Sequence, residues 1–104
     1  MTSVHLIEIE AVPCKDSEVF QKHGGAYVNA YVAINSRAEA LVLATKEIEG
    51  TGWALVKVEN IKTVKRHELE TVQGREYFDQ CLTDKCVLVF HVWPTMEQAD
   101  QEVH

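Results

Sequence analysis

The chain lacks most of the features that announce a function. No apolar run approaches the ~18 residues that a membrane span requires, so no membrane partner is expected. The N-terminus, Met1-Thr2-Ser3-Val4-His5, has no basic region followed by an apolar run, so no secretion signal is expected. No C-x2-C and no H-x3-H pair is present, and Cys81 and Cys86 stand five apart, so Cys14, Cys81, Cys86, His23, His67 and His91 do not form a metal-binding pattern. Gly24-Gly25 and Gly50-Thr51-Gly52 do not open helices, as a phosphate loop must, and so give nucleotide binding no support. Neither a cofactor nor a metal is expected. Basic residues are scarce: 10 Lys and Arg stand against 16 Asp and Glu, a net charge of −6, which disfavours DNA or RNA as a partner. The one basic cluster, Lys62-Thr63-Val64-Lys65-Arg66-His67, suits a solvated loop or lysines guarding a strand edge. Three cysteines is an odd number, and with no sign of export free thiols in a reducing cytoplasm are the default.

What the chain does have is an ordinary globular composition. Hydrophobic residues make up 46% and charged residues 25% of its 104 positions. That length is one domain and buries roughly two-thirds of the unfolded surface, enough for one core. Residues 1–94 read as a single α+β domain, and 95–104 as a polar, acidic C-terminal tail. There are no repeats and no low-complexity segment.

The clearest unit runs from Ala26 to Val58. Ala26, Val28, Ala30, Val32 and Ile34 alternate with Tyr27, Asn29, Tyr31 and Ala33, the period of a half-buried strand. Ser36 and Glu39 form a capping-box pattern. Leu41, Ala44 and Ile48, with Ala40 beside them, recur at helical spacing, and Gly50-Thr51-Gly52 ends the helix. Trp53 to Val58 returns to strand composition. Strand, helix, strand with short joints predicts two parallel strands joined by a crossover.

Around this unit, Val4 to Val12 reads as a first strand, with Ile7, Ile9 and Ala11 opposite Leu6, Glu8 and Glu10, and Pro13 ending it. Residues 13–25 are the least regular; Ser17 to His23 suits a helical turn or a loop equally, with Gly24 as a stop. Between 60 and 74 the strand either continues to Val64 or bends at Asn60, and His67 to Gln73 is ambiguous. Arg75 to Leu82 reads as a short helix with Tyr77, Phe78, Cys81 and Leu82 on one face. Cys86 to Trp93, the most apolar run, reads as a central strand stopped by Pro94. Four strands in a mixed sheet with two helices on one face make an α+β two-layer sandwich. In shape, though not in element order, it is similar to ferredoxin-like folds.

If both helices cover one face, the other shows Tyr27, Asn29, Tyr31, Trp53, Lys57, His91 and Trp93, with Glu8 or Glu10; a single bulge would flip a strand's facing. Exposed aromatics of this kind mark an interface, which predicts a homodimer or another protein as partner and a non-catalytic interaction or regulatory role. The alternative is a small-molecule site or enzyme of the dimeric ferredoxin-like type. His91 would be the acid or base, oriented by a glutamate, with Tyr27, Tyr31 or Asn29 as donors to a developing oxyanion.

Overall fold

The computed structural model describes residues 2–15 and 23–94. The tail 95–104 and most of the Ser17 to His23 stretch lie outside the described residues. Strand β1 is Val4–Pro13, β2 is His23–Ala33, helix α1 is Arg37–Gly50, and β3 is Trp53–Val64. A 3-10 turn at Arg66–Glu68 leads to α2, Val72–Asp84, and the last strand β4 is Cys86–Pro94. The sheet order is β3-β1-β2-β4, and every pairing is antiparallel. The chain is therefore of the α+β class, with a four-stranded antiparallel sheet and two helices. No helix among the described residues is long and apolar enough to cross a membrane.

The local signals explain most of these elements. Ser36 caps α1, its hydroxyl accepting from the Glu39 amide at 3.3 Å. Ala40, Ala44 and Ile48 form its fully buried stripe. Thr51 caps the other end, and Gly52 turns the chain with φ 89°. Helix α2 begins earlier than Arg75 because Thr71 caps it, accepting from the Gly74 amide at 2.9 Å. It stops at Lys85, which takes φ 72° and donates its amide to the Cys81 carbonyl at 2.7 Å. Strand β2 begins at His23, so Gly24 and Gly25 belong to the strand and do not mark a stop. Strand β3 runs unbroken to Val64.

Four expectations change. The sheet is antiparallel throughout, not mixed. Strands β2 and β3 do run parallel to each other, but β1 lies between them and pairs with both. Strand β4 is at the edge, not the centre. Finally, the helices sit on opposite faces, so the molecule is not a two-layer sandwich and its likeness to ferredoxin-like folds does not hold. Helix α1 packs with Ile7, Ile9, Ala11, Val28, Ala30 and Val32. Helix α2 packs its Cys81, Tyr77 and Phe78 with Val4, Leu6, Tyr31, Ala33, Val64 and Val87. Adjacent residues of one strand, such as Tyr31 and Val32, thus enter different cores, as the pleat requires. This also explains β4: it is apolar on both sides because a helix lies over each.

Candidate functional site

Antiparallel register sorts the α2 face into rows that cross the sheet. Two rows, Val64, Val4 and Ala33, then Lys62, Leu6, Tyr31 and Val87, lie at the end that α2 covers. The next row is Asn60, Glu8, Asn29 and Val89, and beyond it come Lys57, Glu10, Tyr27 and His91. Trp93 follows, opposite Gly25. Helix α2 thus divides its face in two. One half is buried and apolar apart from the exposed Lys62 on the outer strand; the other is open, polar and aromatic.

Five of the seven sequence-predicted surface residues share this open half: Tyr27, Asn29, Lys57, His91 and Trp93, together with both Glu8 and Glu10. Tyr27 is 52% exposed, and its ring meets Trp93 with centroids 5.1 Å apart at 52°. The Trp93 indole lies over Gly25 so closely that a Cβ there would collide with its six-membered ring. A strand glycine of this kind lets an aromatic ring rest on bare backbone. Lys57 pairs with Glu59 at 3.7 Å along β3.

Two predicted surface residues are elsewhere. Tyr31 is only 6% exposed beneath α2, with its ring 5.6 Å from that of Tyr77. Burial, with Tyr77 and Cys81 nearby, raises its pKa above the ordinary phenol value, so it is no ready proton donor. Trp53 is 5% exposed on the α1 face, where it packs with Phe90 at 5.5 Å. Its displacement has a direct cause. Strand β3 carries two register shifts against β1, one between Glu10 and Ala11 and one between Glu8 and Ile9. The first leaves Val56 without an opposite number, so Trp53 and Leu55 face α1 while Lys57 faces the other way.

The open half carries titratable and aromatic side chains on neighbouring strands. His91 is exposed, and Tyr27 is its cross-strand neighbour. No hydrogen bond or ion pair among the described residues joins the His91 ring to Glu8, Glu10 or a tyrosine hydroxyl, so nothing orients it as a general base. No group of three or more His, Cys, Asp and Glu among the described residues is arranged to hold a metal ion. Cys81 and Cys86 are free thiols on opposite sides of the sheet, and burial pushes each up to about 11. At neutral pH both therefore stay in the thiol form, which is a poor nucleophile.

Residue types alone concealed Gly25, whose signal is its place inside a strand pattern, and Asn60, which the register brings beside Glu8. Comparison of the chain with family models, with curated proteins and with solved structures gave no match, so the character of this surface rests on its own geometry.

Proposed function

We propose that this protein is a small, non-catalytic association module that binds a protein partner through the open half of its α2 face. The observation that carries the proposal is the division of that face. Helix α2 stops short of Tyr27, His91 and Trp93 and leaves an aromatic pair beside two carboxylates. Tyr and Trp are the side chains that supply contact area at protein interfaces for little loss of conformational entropy. Glu8 and Glu10 sit on the same face two residues apart, and Lys57 is already engaged with Glu59. The chain as a whole carries −6. Charge complementarity therefore favours a partner presenting lysine or arginine. The same carboxylates oppose a homodimer formed face to face, because Glu8 and Glu10 would meet their own copies. A reducing cytoplasm suits the free thiols of Cys81 and Cys86.

A photo-crosslinking side chain tests the proposal in the native cell. Placed at Tyr27, it should give one discrete heavier adduct, and Glu10→Lys should diminish that adduct. Placed at Val42, which is exposed on α1, it should give none. Equal labelling from both positions, or no adduct from position 27, would refute binding through this surface.

A further inference from the structure

The two edges of the sheet are built differently. Strand β3 carries Lys57, Glu59 and Lys62, an ion pair along its length, and two register shifts. Charges and bulges of this kind deter a second chain from adding to an edge. Strand β4 has no such charges, and its one register shift against β2 lies at the far end, between His23 and Gly25. From Cys86 to Pro94 it contains no Asp, Glu, Lys or Arg, and its register with β2 is unbroken from Gly25 to Val32.

The direction of its free backbone groups follows from one hydrogen bond. The Ala33 amide donates to the Lys85 carbonyl at 2.8 Å, which makes these opposed residues a hydrogen-bonded pair. Such pairs alternate along an antiparallel ladder. Val87, Val89 and His91 therefore turn their backbone groups toward β2, while Cys86, Leu88, Phe90 and Val92 turn theirs outward. Among the described residues no hydrogen-bond partner meets that outward row. Its side chains are apolar as well: Leu88 and Phe90 are half-buried at the rim of the α1 core, and Val92 is 48% exposed.

We propose that the β4 edge pairs antiparallel with β4 of a second copy, giving a twofold dimer with one continuous eight-stranded sheet. This goes beyond the binding proposed for the open face, since it concerns the backbone edge of the strand and not the side chains of that face. Self-complementarity and the lack of charge on this edge together favour a second copy as the occupant. Two chains of net charge −6 repel wherever their carboxylates meet, and the uncharged edge is where they approach without that cost. Antiparallel pairing is self-complementary about a twofold axis, so one strand serves both sides of the contact. With the axis normal to the sheet, like faces align. The second copy's α2 then lies at the opposite end, next to the open half that holds His91 and Trp93, and becomes a wall of the surface assigned to the partner.

Light scattering on the full chain across a concentration series is the test. The expected mass is twice 11.8 kDa. Val92→Lys places a charge on the edge, and Val92→Pro removes one outward amide while leaving the β2 ladder intact; both should give the monomer mass with unchanged far-ultraviolet circular dichroism. Val56→Lys, at an exposed position of the other edge, should leave the dimer in place. In the unmutated protein the Leu88 and Phe90 amides should exchange slowly when concentrated and faster on dilution, an arm that needs no variant. A wild-type monomer at every concentration would overturn the proposal, as would a dimer that survives Val92→Pro or is lost with Val56→Lys. A monomer that dimerises only after residues 95–104 are removed would assign the edge to the chain's own C-terminal segment and overturn it equally.

Discussion

Replacing Gly25 with alanine probes the seat of Trp93, the aromatic centre of the open surface. Gly25 does not have the positive φ of Gly52, so its backbone accepts alanine and the obstacle is the indole alone. The structure has two ways to respond. It can hold the ring in place and strain, as in an overpacked core, which costs about 1–3 kcal/mol. Or the ring can swing away, losing its contact with Tyr27, about 0.5–1.5 kcal/mol, and part of its covered area. For roughly 100 Å² of re-exposed ring that second loss is about 2.5 kcal/mol. The second route totals about 3–4 kcal/mol, so the less costly first route sets the effect at about 2 kcal/mol, which corresponds to roughly 8–16 °C in the unfolding midpoint of a domain this size. Urea unfolding gives the free energy, and acrylamide quenching shows which route is taken. Trp53 is buried and quenches poorly, so a rise in quenching reports Trp93. In a Trp93→Leu background the same Gly25→Ala change should cost almost nothing, so the double-mutant cycle should show a coupling close to the full effect. If Gly25→Ala leaves stability and quenching unchanged, or if the two changes are additive, Trp93 does not rest on Gly25.

Other consequences follow from the same geometry. Ile48 is the one large side chain in the fully buried stripe of α1, so Ile48→Ala should destabilise by about 2–5 kcal/mol in urea unfolding. Lys85 holds a positive φ that glycine reaches without strain, so Lys85→Gly should stabilise by about 1 kcal/mol in the same assay. The Cys81 and Cys86 thiols are raised from about 9 to about 11 by burial first, with Asp79 near Cys81 and Glu47 near Cys86 adding to it. The folded state therefore holds their protons more tightly than the unfolded state. Their contribution is fully present below the unfolded value and is lost as pH rises from about 9 through about 11. The unfolding midpoint of the double variant Cys81→Ala with Cys86→Ala should fall less steeply over that window, and both thiols should alkylate slowly at pH 8.

Local signals carried much of the fold. The alternation of β1 and β2, the Ser36 cap and the Ala40, Ala44, Ile48 stripe each follow from neighbours within a few residues, and each is where the pattern puts it. What depends on distant residues was not legible. Tyr31 alternates with Val32 whether or not a helix covers it, and nothing in residues 72–84 states which face α2 will take. The apolar run of β4 predicts burial on both sides, which a central strand and a strand between two helices satisfy alike. The facing of Trp53 turns on a bulge at Val56, a single unmatched residue that leaves no compositional mark. Tyr27, Asn29, His91 and Trp93 share the open half because β2 and β4 keep an unbroken register from Gly25 to Val32, while the predicted facing failed at two other positions. It was misjudged at Tyr31, where α2 covers the face expected to be open, and at Trp53, where the register breaks.

The division of the α2 face into a sealed and an open half underlies both the site and its proposed use. Paramagnetic relaxation by a neutral, water-soluble gadolinium chelate measures it residue by residue. Strong broadening is expected for the Tyr27 and His91 ring signals and little at Tyr31 and Val87, although Tyr27 and Tyr31 lie on the same face of one strand. Equal broadening at Tyr27 and Tyr31 would place α2 elsewhere and contradict that division.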